Sequence, residues 1–340
     1  MSLSRQITTV YLWPLECIVL TVLCTLSTET LKLSLRELGT NEGETGHVKG
    51  FPSSPRSVLV VAAVLLSLTS TCRLARAATL SQNTRSCFSQ YVQTVEQRNV
   101  GELSRTGSFL WVDTLAPAPR ERARQSLASG GVEISALQSS EAGQEISCPN
   151  GLIHHWIGTV FVPGAKLDDV LHLLQDYNHH AQYYAPDVQQ SRIEQRNGEH
   201  YRVFLRFRRT KIVTAVIDTV NDIQYYRDSP TQAHSRSSAI RINEVDNPGQ
   251  PDEQEKPAGH DNGFLWGMET WWRMEQKDGG VYVQSEVVSL TRDIPTGLGW
   301  MIAPFVQSIP RESLTFTLAA TRRAVLSEKQ SASLASAPAQ

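Results

Sequence analysis

Apolar residues near the middle of the chain recur with the spacing of a helix. Five of them fall at i, i+3, i+4, i+7 and i+10, which places them on one helical face: Leu167, Val170, Leu171, Leu174 and Tyr177. Asp168 and Asp169 stand in the first turn, where the helix dipole favours negative charge. Pro186 marks the latest end of this helix.

The residues before and after this helix have the composition of strands. The segment 152–162 is rich in β-branched and aromatic residues and ends at Pro163-Gly164. Further strands are predicted at 188–195, 201–208, 212–221, 223–227, 235–245, 264–275 and 281–291. Most links between them are short, which favours an antiparallel meander over a parallel sheet with helical crossovers. The exception, 246–262, has the composition of a solvated, mobile loop.

Strand 264–275 shows which of its faces is buried. Its odd positions include Glu269, Arg273 and Glu275, whereas its even positions are mostly apolar: Phe264, Trp266, Met268, Thr270, Trp272 and Met274. A final helix is predicted from Ser308, a candidate N-cap, to about Leu326. The tail 328–340 is predicted to be disordered.

The segment 78–150 is more polar and is predicted to be an extension packed on the larger domain. Phe88, Tyr91, Val92 and Val95 have helical spacing, and 120–128 is a weaker helical stretch. Pro117 and Pro119 are expected to break the chain between the two, and the extension is not expected to fold alone.

Residues 51–77 have the three parts of a secretory signal peptide. Arg56 supplies the positive charge, 58–68 the apolar run, and 75–78 an Ala-x-Ala site, with cleavage expected near Ala77. About fifty residues precede it, so we expect either a misassigned start, with 1–50 not translated, or an unusually long leader. The expected location is secreted or periplasmic. The alternatives are a membrane anchor through 7–26 and lipidation at Cys72.

Composition and cysteines narrow the class of protein. Hydrophobic residues make up 40% of the chain and the formal net charge is -2, which excludes a disordered polyelectrolyte and gives no overall field for nucleic acid. After cleavage only Cys87 and Cys148 remain, so one disulfide is plausible in an oxidising compartment, and two unpaired cysteines are the alternative.

The order of strand, helix, antiparallel strands and long C-terminal helix over residues 151–326 resembles the START-like or Bet v 1-like (SRPBCC) superfamily. The Leu167 to Tyr177 helix after the first strand and the proline-containing loop before the last helix carry the resemblance. It implies an α+β fold over 151–327, in which a curved antiparallel sheet grips the last helix and encloses an apolar cavity. The superfamily includes lipid-transfer domains, polyketide cyclases and plant allergens.

The expected ligand is therefore a lipid or other apolar small molecule, with peripheral membrane contact as a further expectation and no cofactor. The residues expected to line the cavity are Trp156, Tyr177, Arg206, Phe264, Trp266, Met268, Trp272, Met274 and Glu286. Trp and Met suit an adaptable pocket wall. The alternatives are an enzyme of cyclase or hydrolase type that uses the same cavity, and a non-catalytic envelope module that binds a partner through 78–150.

Three further groups of polar residues have competing interpretations. His172, Asp176 and His180 could share a helix face and bind metal, or could be a solvated surface. His154 and His155 point to opposite faces of one strand, so at most one enters the cavity. The basic hairpin Arg206–Lys211 could meet anionic lipid head groups or pair with carboxylates on the exterior. No nucleophile elbow or phosphate-binding loop is present in the sequence.

Overall fold

The computed structural model describes residues 80–335, apart from positions 106, 142–143, 211–213, 257–260 and 295–298. All of them belong to one unit, residues 78–340. The predicted signal peptide, the segment 1–50 and the alternative anchor 7–26 lie outside the described residues. None of the helices in the described ranges has the length and apolar character needed to span a bilayer.

Five α-helices are described. They are α1 (Gln82–Leu103), α2 (Pro117–Ala128), α3 (Leu167–Gln175), α4 (His180–Tyr183) and α5 (Gly299–Ala335). Single 3-10 turns cover Trp111–Thr114 and Tyr177–His179. Pro117 begins α2 instead of breaking the chain, because the first turn of a helix does not need the amide hydrogen that proline lacks.

Eleven strands are described. They are β1 (Val132–Ala136), β2 (Ser140–Glu141), β3 (Gln144–Glu145), β4 (Gly151–Pro163), β5 (Val188–Asn197), β6 (His200–Thr210), β7 (Thr214–Ser229), β8 (Gln232–Asp246), β9 (Gln254–Glu255), β10 (Gly267–Lys277) and β11 (Gly280–Arg292). The main sheet is antiparallel in the order β1-β4-β11-β10-β8-β7-β6-β5, with β9 paired to β8. The pair β2–β3 stands apart.

Several predicted boundaries were wrong. The last helix, α5, begins at Gly299 and not at Ser308. The strands predicted at 212–221 and 223–227 are one strand, β7, which pairs with β6 and β8 across the expected break. Strand β10 starts at Gly267, so Phe264 and Trp266 precede it. Part of the predicted tail 328–340 is helical, because α5 continues to Ala335 and is tied to the rest of the chain by Tyr183 Oη–Glu328 Oε1 (2.7 Å) and Lys329 Nζ–Asp169 Oδ2 (3.0 Å).

The two faces of the sheet are covered by different helices. The inner face packs on α3 and α5 around Val160, Val203 and Leu318, and this is the largest apolar cluster of the described residues. The outer face is covered by the extension: Tyr91, Val92 and Val95 of α1 pack on Trp271 and Val288. The predicted α+β class, a curved antiparallel sheet around a C-terminal helix with a helical extension, is confirmed.

Candidate functional site

The inner face of the sheet is closed at one end and accessible at the other. At the closed end the strand residues are fully buried beneath α3 and the later part of α5: Val162, Ala233, Met274, Val281 and Val283. The helices supply Leu167, Val170, Leu173 and Leu318 to the same cluster. This end is ordinary core, because apolar side chains fill it from both sides.

Toward the other end, apolar side chains on the same face keep part of their surface accessible. Two-residue alternation from the buried positions places them on the inner face: Trp156, Leu205, Ile217, Met268, Trp272 and Val287. Trp156, Leu205, Trp272 and Val287 also pack against the buried cluster. The inner face therefore carries an apolar surface whose packing is incomplete among the described residues.

Two buried hydroxyl groups lie at the border between the two ends. Trp272 is directly opposite Ser235 of β8 and Ser285 of β11, so the three side chains form one row across three strands. Both serines are 1% exposed. Their Oγ atoms have no hydrogen-bond partner among the residues that the structure describes. A buried hydroxyl without a partner is costly, and such a group is explained when a water or a ligand satisfies it.

Of the nine predicted cavity residues, Trp156, Met268 and Trp272 lie on the accessible part of the inner face. Met274 and Tyr177 lie on the same side but in the closed core. Tyr177 Oη is 2.6 Å from Tyr225 Oη, which in turn donates to the carbonyl oxygen of Leu174 at 3.1 Å. Burial raises the pKa of both phenols, which keeps them neutral.

Phe264 and Trp266 lie in the segment before β10 and not on its inner face, so their prediction as members of that strand was wrong. The backbone N–H of Phe264 donates to Glu244 Oε1 at 2.8 Å, and Trp266 Nε1 donates to Asp261 Oδ1 at 3.0 Å. Gly263, with φ +75°, turns the chain between these contacts, a conformation that favours glycine. The backbone N–H of Trp266 donates to the carbonyl oxygen of Leu290 at 2.7 Å, so pairing with β11 begins directly after this turn.

Arg206 does not line the inner face. It forms a two-bond ion pair with Asp218 (2.7 and 2.8 Å) and a third bond to Glu253 Oε1 (2.7 Å), on the outer side of β6 and β7. The hydrogen bonds from Arg206 to Asp218 and Glu253 raise its pKa. For this residue the structure agrees with the exterior interpretation, in which basic side chains of the hairpin pair with carboxylates.

Glu286 was also predicted on the cavity wall, and the structure places it on the opposite face, because it alternates with the inner residues Ser285 and Val287. It is 1% exposed beneath α1. His155 Nε2 lies 2.6 Å from Glu286 Oε1, to which Arg98 also donates. Burial alone would raise the pKa of Glu286, but the hydrogen bond from His155 and the positive charge of Arg98 outweigh it and hold that pKa below its usual value.

The contacts of Glu286 continue into a buried polar layer between α1 and the sheet. His155 Nδ1 is 2.8 Å from Tyr91 Oη, which accepts the backbone N–H of Ser139 at 3.0 Å. Arg273, 2% exposed, donates to the carbonyl oxygen of Phe109 (2.9 Å), to Glu102 Oε2 (2.8 Å) and to Asn99. Sequence reasoning missed this layer. The available signal was that His155, Arg273 and Glu286 all alternate away from the apolar face.

The two neighbouring histidines lie on opposite faces of β4, as predicted. His154 Nε2 is 3.0 Å from Thr291 Oγ1, and burial lowers its pKa to about 4. His155 belongs to the polar layer on the other side. Strand β4 thus carries the neutral imidazole of His154 on its inner face. It carries the imidazole of His155, which is paired with a carboxylate, on its outer face.

A cleft of about 530 Å³ opens at this edge of β4, where the pairing with β1 ends. Its walls include Tyr91, Ile153, His154, His155 and Trp156, together with residues 136–139 and Ile146. The cleft therefore reaches both faces of β4, with Trp156 from the inner side and Tyr91 from the outer side. A second, more polar cleft of about 420 Å³ lies near Arg120, Arg124 and Lys277.

The predicted grouping of His172, Asp176 and His180 is not present. Asp176 bonds to His179 Nδ1 and Tyr183 Oη, both at 2.8 Å, and lies at the C-cap of α3. His180 follows the helix end and is buried, with Nε2 3.3 Å from the carbonyl oxygen of Leu173. Within the described ranges no three His, Cys, Asp or Glu residues are arranged to hold a metal ion.

A disulfide joins Cys87 and Cys148, with the two Cα atoms 5.5 Å apart. It ties the start of α1 to the turn that precedes β4. Thr84 Oγ1 adds a hydrogen bond to the carbonyl oxygen of Pro149 at 2.7 Å. The proposed pairing is confirmed, and it fixes α1 near the strand that carries both histidines.

No family model matches the chain, and no curated protein matches it. Solved structures with a similar arrangement include the STAR-related lipid transfer protein of Xanthomonas axonopodis, with 19% identity, a TM-score of 0.37, and coverage of 56% of this chain and 98% of that one. Human StAR-related lipid transfer protein 5 shares 14% identity, with a TM-score of 0.40 and coverage of 62% and 94%. The Zhui aromatase/cyclase of Streptomyces sp. R1128 shares 14% identity, with a TM-score of 0.35 and coverage of 51% and 94%. The ligands and activities of those proteins are theirs, whereas the antiparallel sheet and the long C-terminal helix of this chain are seen in its own element order and sheet topology.

Proposed function

We propose that the protein binds a lipid or another apolar small molecule on the accessible part of the inner face. The observation that carries the proposal is the row Ser235, Trp272 and Ser285, where an accessible indole lies between two buried hydroxyls without partners. An apolar ligand against the indole would remove its surface from water, and a polar atom of the ligand would satisfy the serines.

The chemistry of the surrounding strands favours an uncharged ligand group at this position. The inner residues of β10 and β11 around the row are Met268, Thr270, Trp272, Ser285 and Val287, and none of them is charged. Burying an ion against such a surface would cost several kcal/mol without a partner. We therefore propose that a hydroxyl, carbonyl or ester group lies near the serines and that an apolar body covers Trp272.

Mass spectrometry of organic extracts from the purified protein tests this proposal. We expect a recurring apolar compound in the extract of the unaltered protein and at least a severalfold lower yield from Trp272→Ala. Ile240→Ala is the matched control, because Ile240 is an exposed apolar residue of β8 outside the row, 53% accessible. Urea unfolding of both variants shows that the fold is retained.

Two results would count against the proposal. One is an extract without a recurring compound from protein purified from its native source. The other is the same compound at equal yield from Trp272→Ala and from Ile240→Ala, which would place the ligand elsewhere. In both cases the partly accessible apolar residues of the inner face would be ordinary protein surface that does not bind a small molecule.

We also propose that the mature protein acts outside the cytosol, beginning near Ala78. The disulfide between Cys87 and Cys148 supports this location, because such bonds persist in oxidising compartments. The intact mass of the protein from fractionated cells tests both parts. A chain that retains 1–77 in the cytosolic fraction would contradict the proposal.

A further inference from the structure

The cleft beside β4 ends on a continuous chain of hydrogen bonds. The chain runs from Tyr91 Oη to His155 Nδ1 at 2.8 Å and from His155 Nε2 to Glu286 Oε1 at 2.6 Å, with Arg98 on the same carboxylate. Its members come from α1, β4 and β11, and three of them, Tyr91, His155 and Glu286, are at most 4% exposed. Such burial fixes the geometry of the three groups, since no water can replace them without opening the layer.

The position of each proton in this series of hydrogen bonds can be assigned by starting from Glu286. Glu286 is ionised, because its partners hold its pKa below the usual value, so it accepts the Nε2–H of His155. In the tautomer of His155 that carries its proton on Nε2, Nδ1 is an acceptor and receives the O–H of Tyr91. The phenol oxygen accepts the N–H of Ser139 and keeps one lone pair, and Tyr91 lines the cleft.

The remaining walls of the cleft are of mixed character, with Gln138, Ser139 and His154 as the polar part. Ile146, Ile153, Leu137 and Trp156 lie around the phenol, and Trp156 contributes an aromatic surface. The charges that face His155 balance one another, since Glu286 is paired with Arg98 from α1 and with His155 itself. A ligand in the cleft would meet apolar and uncharged polar side chains together with the hydrogen-bonding phenol of Tyr91.

We propose that this cleft is a second small-molecule site, for an aromatic or enolic compound with a weakly acidic hydroxyl, in which Tyr91 passes the proton of the ligand to His155. The O–H bond of the ligand breaks as its proton moves to the phenol oxygen of Tyr91. The former phenol proton of Tyr91 moves to His155 Nδ1, and the resulting imidazolium is paired with the carboxylate of Glu286. The Tyr91 hydroxyl then donates to the ligand oxyanion, so protons and charges balance within the site.

The acidity of the ligand follows from the base that receives the proton. An imidazole is a much weaker base than an alkoxide, so it can deprotonate phenols and enols with electron-withdrawing groups but not ordinary aliphatic alcohols. Aromatic compounds suit the walls, because these include the aromatic side chains of Trp156 and Tyr91. This site opens at the edge of β4 and shares Trp156 with the accessible part of the inner face.

The test uses the full chain and p-nitrophenol, whose absorbance distinguishes the phenol from the phenolate. At a pH where the free probe is the neutral phenol, addition of the protein is expected to produce the phenolate band in a saturable manner. Tyr91→Phe is expected to weaken binding roughly tenfold or more and to remove the phenolate band, because it removes both the hydrogen bond to the charged oxygen and the group that passes the proton. His155→Gln is expected to abolish the phenolate band, because it removes the base.

Tyr184→Phe is the matched control, since it also removes a buried phenol hydroxyl, the one 3.0 Å from Thr321 Oγ1. Tyr184 does not line the cleft. It should leave the titration unchanged. The proposal is overturned if the unaltered protein gives no saturable change, if the bound probe keeps the spectrum of the neutral phenol, or if Tyr91→Phe and Tyr184→Phe titrate alike. The first two outcomes need no variant, so a folding defect in Tyr91→Phe cannot obscure the answer.

Discussion

His154 and His180 are buried where water cannot stabilise a positive charge. Burial lowers the pKa of each to about 4, from an ordinary value of 6.5. The unfolded chain therefore binds protons that the folded chain does not, and the stability that these residues contribute is fully present above pH 6.5. It is lost progressively as the pH falls from 6.5 toward 4.

We expect each histidine to contribute about 3 kcal/mol to the loss of unfolding free energy over this pH range. Urea unfolding of residues 78–340 at a series of pH values measures it. His154→Gln should flatten the profile, whereas His179→Gln should not, because the side chain of His179 is about half exposed beside Asp176. Equal slopes for both variants would contradict the assignment to burial.

Glu286 has the opposite charge and is stabilised by its partners. Its pKa lies below the usual value, so its contribution is present above the unfolded pKa near 4.5 and is lost as the pH falls through the lower folded value. Glu286→Gln leaves Arg98 and His155 without their carboxylate and is expected to cost about 3 kcal/mol at neutral pH. The measurement is chemical unfolding. A loss below about 0.5 kcal/mol, typical of an exposed pair, would show that the layer is not buried in solution.

At the scale of the elements, α5 packs closely on β4 at Gly158. A methyl group at this position would lie 2.7 Å from Leu318 Cδ1 and 2.9 Å from Ile134 Cγ1. We therefore expect Gly158→Ala to destabilise the protein by about 1–3 kcal/mol, because α5 or β1 must shift. The control is Gly101→Ala in α1, where nothing lies within 4 Å and helix propensity predicts a small gain. Thermal unfolding of both variants checks the sign of each change.

The disulfide joins α1 to the turn before β4, and the polar layer joins α1 to β4 itself. It closes a loop over a sequence separation of 61 residues, for which the chain-entropy relation gives a stabilisation of about 4 kcal/mol. We expect the double variant Cys87→Ala, Cys148→Ala to unfold at lower urea concentration and to be insensitive to reducing agent. A wild-type midpoint that does not move on reduction would show that α1 is held without the bond.

At the scale of the whole molecule, the extension and the sheet are expected to unfold together. Without α1 and α2 the outer face would expose Trp271, Val288, Phe161 and Tyr282, together with the charges of Arg273 and Glu286. Residues 78–340 should therefore unfold in a single transition, and 151–340 should be aggregated or lack cooperative unfolding. A soluble, cooperatively folded 151–340 would contradict this expectation.

The sequence predicted the inner face better than the outer one. Helical and strand periodicity located α3, β4, β10 and the apolar row with Trp272, because burial against one neighbour imposes a regular pattern. Glu286 and Arg206 were misplaced because a polar residue on a strand could face a cavity or an exterior partner, and periodicity does not distinguish the two. Arg98 and Tyr91 are more than sixty residues away in the sequence from the residues that they contact on β11 and β4. The periodicity of a sequence does not indicate which residues pair over such a separation.

The polar layer has a consequence for how firmly α1 is positioned along its own axis. Apolar contacts such as those of Val92 and Val95 would tolerate a slide of α1 by one turn, about 5.4 Å, because one aliphatic neighbour substitutes for another. The bonds from Tyr91, Arg98 and Glu102 would not, since each has one specific partner on β4, β10 or β11. A slide would leave Glu286 and Arg273 buried as separate ions. The polar layer therefore permits a single docking position of the extension on the sheet.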